Sequence, residues 1–153
     1  MTANPDPSKT NPAEVFAFFT EVGIINQLSV TMLASALPGG VHPSHFAIIN
    51  HLHRVGDGTT PVRIAAAMQV TKTTMTHSLK VLKDHGFVRI APNPEDGRAK
   101  KVFLTASGSV FRNEAIQRVS KRFGHALQPE HIEIMSRISG DLETLRKHLD
   151  KNR

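Results

Sequence analysis

The 153-residue chain contains no cysteine, no tryptophan and no tyrosine. Without cysteine there is no disulfide, no thiolate metal site and no thiol redox switch. Without tryptophan or tyrosine, the aromatic platforms on which single-stranded nucleic acids stack are poorly supplied, and the eight phenylalanines sit mostly in apolar runs. There is no glycine-rich phosphate loop. Pro38-Gly39-Gly40 and Gly56-Asp57-Gly58 read as turns between helices. No serine stands on a strained elbow with a histidine and an acid to activate it. These absences argue against a hydrolytic enzyme, and no cofactor is implied. No repeat of 20–50 residues is visible.

What is present is positive charge in one place. Residues 61–101 hold eight Lys or Arg against three Asp or Glu, most of the net charge of +6. DNA is a dense polyanion, and clustered cations on one module suit it. The same segment reads as helix, turn, helix and hairpin. Thr60-Pro61 starts a helix, with Thr as the cap and Pro where no amide is needed. Ile64, Ala65 and Met68 share a face, and small Ala65 lets a second helix cross closely. Gln69-Val70 makes the turn, with Val70 expected to plug the space beneath it, and Thr71 caps the next helix.

That helix is expected from about Lys72 to Lys83. Met75, Leu79 and Leu82 repeat at helical spacing and face the core. The opposite face carries Thr73, Thr76, His77, Lys80 and Asp84, with Lys72 and Lys83 at its edge. Hydroxyls, an imidazole and lysines can bond base edges and phosphates in a groove. Alone, such a face also fits a simple solvated surface; the hairpin that follows tips the balance. Gly86 ends the helix. Residues 87–90 and 101–104 read as paired strands, with Asp96-Gly97 expected as the turn. Arg98 is then expected near the hairpin tip, with Lys100 and Lys101 behind it. An arginine there can enter a narrow minor groove.

These residues resemble the MarR (multiple-antibiotic-resistance regulator) family of bacterial transcription factors. The resemblance rests on Ile64-Ala65, Val70-Thr71-Lys72, Met75-Thr76, Leu82 and Gly86-Phe87-Val88. It is sharpest at Asp96-x-Arg98 followed by Val102-x-Leu104-Thr105 and Gly108. His77 stands where the family usually has Arg, and Ile90 where a basic residue is frequent. Both departures bear on the operator sequence. The resemblance implies a mainly α fold with a small β-hairpin wing, acting as a cytoplasmic, homodimeric repressor of a pseudo-palindromic operator in double-stranded DNA. It also implies release by a small aromatic or anionic effector, in a pocket that could draw on Asn26, His42, His45, Phe46 and Asn50.

Residues 1–11 lack hydrophobics and are expected to be a disordered arm. The apolar run 15–37 is long enough for a membrane, and Ala34-Ser35-Ala36 imitates a signal-peptidase site. However, Asp6, Lys9 and Glu14 precede it in place of a positive segment, and Glu21, Asn26 and Gln27 interrupt it. The expectation is a long helix buried on several faces in a shared dimer core, with no membrane. Met135, Ile138, Leu142, Leu145 and Leu149 alternate three and four apart, a seam for a second helix. The expected organisation is one domain over 12–153. Its winged helix-turn-helix spans 45–105, and 12–37 with 106–153 form the helical dimerisation region. Nine histidines raise a metal-responsive alternative, because His42 and His45 can share a helix face. Two ligands do not make a site, so no metal is expected, and His42 can instead cap a helix. A winged-helix protein-interaction module without DNA binding is the remaining alternative.

Overall fold

A computed structural model describes residues 11–56 and 58–152. The elements are α1 (Pro12–Ala36), α2 (Pro43–Val55), α3 (Pro61–Met68), α4 (Lys72–Asp84), β1 (Val88–Asn93), β2 (Asp96–Leu104), α5 (Ala106–Ala126) and α6 (Pro129–Lys151). The chain divides into two compact units after Ile116, inside α5. The expected arm lies outside the described residues except for Asn11, whose side chain caps α1 by accepting from Ala13 N–H at 3.1 Å.

The first unit is built around one apolar cluster. Ile48, Ile49 and Leu52 of α2, Ile64 and Ala65 of α3, and Met75, Leu79 and Leu82 of α4 are all buried. Val88 and Val102 of the hairpin and Phe111 and Ala115 of α5 complete it. Each helix enters this cluster with a local stop and start. Thr60 Oγ1 accepts from Arg63 N–H and Thr71 Oγ1 from Thr74 N–H. Gln69 adopts φ +54 between α3 and α4, a left-handed residue that reverses the chain in one step. That geometry leaves Val70 38% exposed. The expected plug beneath the turn is not there, because the left-handed Gln69 turns the next side chain outward. After α4, Gly86 (φ +76) donates to Lys83 and Phe87 donates to Leu82, which closes the helix end.

β1 and β2 pair antiparallel, Val88 with Leu104 through Pro92 with Lys100, and Thr59 adds an isolated bridge to Val102. The tip differs from expectation. The turn is Pro94-Glu95, and Asp96-Gly97 already belongs to β2. Asn93 Oδ1 accepts from Glu95 N–H at 3.2 Å, and an Asn followed by Pro makes this turn locally self-sufficient. The register slips between Pro92 and Asn93, which absorbs the displaced turn.

The Leu-Thr-x-x-Gly segment has a clear structural role. Thr105 Oγ1 donates to Gly86 O and accepts from Gly108 N–H, tying the wing's end to the recognition turn. A Cβ on Gly108 would collide with the Phe87 carbonyl. Only glycine lets α5 start this close to β1.

α1 and α6 behave differently. Neither contains a buried residue within one chain. α1 has the length and apolar composition of a membrane-crossing helix. The expectation of burial on several faces is therefore not met by a single chain: Phe16, Ile25 and Leu28 of α1 are 60–76% exposed.

Candidate nucleic-acid interface

α4 presents two distinct faces. Met75, Ser78, Leu79 and Leu82 point into the core, and Lys72, Thr73, Thr76, His77, Lys80 and Lys83 are exposed. This is the division the apolar spacing predicts. The details restrict what each exposed group can do. Thr76 Oγ1 donates to Lys72 O at 2.9 Å, so the Thr76 methyl is the part most free to meet a base. Lys80 Nζ lies 2.6 Å from Asp84 Oδ2. That hydrogen bond, chiefly, holds the Asp84 carboxyl below its ordinary value. The pair is exposed, so a phosphate can compete for the ammonium.

Beside α4 stands the wing. Strand alternation puts Val88, Ile90, Val102 and Leu104 on one face and Arg89, Ala91, Lys101 and Phe103 on the other. Lys100 and Lys101 therefore point to opposite faces and do not act together behind one tip. Lys100 joins Lys83, Ile90, Pro92 and Gly97 around a cavity of about 220 Å³ between the end of α4 and the hairpin. Lys101 is half-buried, with its stem alongside Gly58. Arg98 lies in β2, and its side chain lies outside the described residues. Asp96 and Gly97 open β2 and set its register opposite Asn93. Sequence reading missed Arg89, whose guanidinium stacks 4.3 Å from the centre of the Phe103 ring, its cross-strand partner. An Arg–Phe pair at matched strand positions becomes legible only once the register is known.

Of the residues suggested for an effector pocket, three lie together. His42 and His45 lie close, with ring centres 5.5 Å apart, at the start of α2 beside Phe46. His45 is 5% exposed, and its Nδ1 accepts the His42 backbone N–H at 3.2 Å. His42 occupies the cap position, but the capping acceptor is His45. Burial, and then the nearby His42, His77 and His85, push the His45 imidazole below its ordinary value. Asn50 is exposed, and its side-chain oxygen accepts from Arg112 Nε at 2.9 Å, joining α2 to α5. Asn26 is exposed on α1. None of the five lines the cavities at the wing, beside Phe87 and Phe111, or between α5 and α6. Among the described residues, no group of three or more His, Asp or Glu has the geometry to hold a metal ion.

A buried helix-turn-helix with a solvated cationic helix and a flanking hairpin defines a winged helix-turn-helix fold. Residues 39–99 match the profile of the MarR family. The fold is similar to wild-type MarR from E. coli in its apo form, at 21% identity and TM-score 0.68, covering 80% of this chain and 94% of that one. It is similar to the transcriptional regulator BldR from Sulfolobus solfataricus, at 20% identity and TM-score 0.69, covering 93% and 99%. It is also similar to a mutant MarR from E. coli complexed with operator DNA, at 19% identity and TM-score 0.61, covering 87% and 99%. The MarR-family match covers the helix-turn-helix and most of the hairpin, and the fold over most of the chain is the winged-helix fold of these structures.

Proposed function

We propose that the protein is a homodimeric repressor that reads a pseudo-palindromic operator and is released by a small effector. The observation that carries the DNA-reading part is the exposed face of α4. Thr73, Thr76 and His77 sit at its centre, with Lys72, Lys80 and Lys83 around them. Lysines at the edge neutralise phosphates and set affinity; the central groups choose bases. The wing adds Lys100 and, by the resemblance of Asp96-x-Arg98 to the family's wing, Arg98 as cations for the flanking groove.

The dimer reading is supported by apolar surface without a cover. On α6, Met135, Ile138, Leu142, Leu145 and Leu149 are 36–49% exposed, and α1 adds Phe16, Ile25 and Leu28. Apolar surface on this scale is more than a monomer ordinarily leaves in water, and a two-fold partner matches a two-fold operator. A cytoplasmic location follows from this reading. Effector release rests on the family and on the grouping of His42, His45 and Phe46. A small aromatic acid that lowers operator affinity must have its own affinity lowered by operator in equal measure.

The test is a set of anisotropy titrations on duplexes of varied sequence and salt. Alanine at Lys72 should weaken every duplex alike and flatten the salt dependence. Alanine at His77 should reorder the duplexes. Equal effects of both variants on all duplexes would remove the proposed division of labour.

A further inference from the structure

We propose that His42, His45, His77 and His85 form a proton-operated switch, in which proton uptake by His45 releases the seat of the recognition helix and lowers operator specificity. The inference rests on the DNA-reading function proposed above and names a regulation of that same surface. Three observations converge on one place. His45 is among the two buried polar side chains of the core, and it lies in the first turn of α2. Its Nδ1 is the acceptor that closes that turn, at 3.2 Å from the His42 N–H. The charges that act on its ring come from His42 on its own helix, His77 on the exposed face of α4, and His85 at the end of α4. α1, α3 and β2 also pack on α2. Among the described residues they bring no titratable group to bear on this ring, and no carboxylate does so.

Such an arrangement has one favourable state. A neutral His45 accepts the backbone amide. A protonated His45 has no acceptor to offer, so the cap bond is lost and a donor faces a donor. The new charge also sits at the positive end of α2 and among imidazoles that repel it. The ring must leave, and the first turn of α2 loosens with it. That turn carries Phe46, which belongs to the same buried cluster as Leu79 and Leu82 of α4. Loosening it changes how α4 is held. His85 extends the link, because its ring stacks on Phe87, which stacks on Phe111 of α5 with centres 4.2 Å apart. Extra positive charge alone would raise affinity for every duplex. The switch therefore shows in the ratio of operator to unrelated-duplex affinity.

The experiment measures that ratio by anisotropy from pH 8 to 5, on the full chain, with folding checked at each pH by circular dichroism. The operator duplex is the one recovered by in vitro selection. In the wild type the ratio should fall on acidification, by up to about tenfold per pH unit once His45 begins to take a proton. His45→Gln keeps an acceptor at the same capping position without titrating, and its ratio should stay flat. His42→Gln removes the nearest like charge, and the fall should move to higher pH. His131 caps α6 with the same bond, accepting from Gln128 N–H at 2.9 Å, so His131→Gln should behave as wild type. A proton NMR titration of the wild type should find His45 titrating at lower pH with operator than with an unrelated duplex. A pH-independent wild-type ratio, a His45→Gln variant that keeps the fall, or a His45 titration that is the same with operator as with the unrelated duplex would each overturn the proposal. A wild type that prefers no duplex at any pH would instead remove the DNA-reading function beneath it.

Discussion

The helices α2 to α4 and the helix α6 carry similar apolar spacing and end up in opposite situations. In α2 to α4 the stripe is buried: Ile49, Ile64 and Leu82 are wholly shielded from water. In α6 the stripe from Met135 to Leu149 is left at 36–49% exposure. The difference lies in what surrounds each helix. The short helices cross one another through small Ala65 and are closed by a hairpin, so one chain supplies all sides of the core. α6 is 23 residues long, and its stripe runs from Met135 to Leu149. One region is a finished core. In the proposed reading the other is half of one, completed by a second copy of the chain.

The largest break in that comparison comes from charge in the unfinished half. Leu142→Asp and Leu145→Asp would bury a carboxylate between subunits, which costs several kcal/mol, roughly the worth of many dimers. The variants should sediment as monomers or fail to fold, whereas the wild type should sediment as a dimer at micromolar concentration. A wild-type monomer with an intact fold would make the exposed stripe ordinary surface. Next in size is Ile64→Ala, in the finished half. It should cost about 2–5 kcal/mol, and the loss should not depend on protein concentration. Leu142→Ala should lose stability that recovers as concentration rises. Thermal melts at several concentrations separate the two. If both losses respond to concentration alike, the division into finished and unfinished cores is wrong.

Gly108→Ala comes third, at about 1–3 kcal/mol, because the added methyl meets the Phe87 carbonyl and must push α5 away from β1. Wild-type melting by this variant would show that the wing and α5 are not tied there. Smaller again is Asp84→Asn. It releases Lys80 from its ion pair, and affinity should rise a few-fold for operator and unrelated DNA alike. An unchanged affinity would mean that DNA already displaces Asp84 without cost. The smallest effect is the pH dependence of the melt. His45 and His51 have folded values below the ordinary 6.5, so the unfolded chain takes their protons first. Stability should be flat above about pH 7 and fall as pH drops below about 6.5. His45→Gln should remove part of that fall, and an identical profile would show that His45 is protonated equally in both states.

Much of this was legible from local chemistry. Thr60, Thr71 and Gly86 mark helix ends because each satisfies or terminates a backbone within three residues of itself. Met75, Leu79 and Leu82 announce a buried face because helical spacing is a property of neighbours. The misses share a different cause. The hairpin tip went to Pro94-Glu95 because Asn93 braces it from the side, against the stronger turn pair Asp96-Gly97. Val70 lost its expected burial to the backbone angle of Gln69. The contacts Arg112 to Asn50 and Arg89 to Phe103 link residues far apart in the chain, and no local spacing encodes them. Asn26 and Asn50 stand out in the sequence as polar groups beside apolar runs; Asn50 bonds Arg112, and Asn26 is exposed on α1.

The most direct measurement is in vitro selection from random duplexes with the purified full-length protein. Two copies of α4 joined through an apolar helical seam should enrich an inverted repeat whose half-sites are centred about 10 base pairs apart, or a multiple of that. Enrichment of a single unrepeated half-site would contradict the shared core. No enrichment over the starting pool would contradict the reading of α4 as the helix that chooses bases.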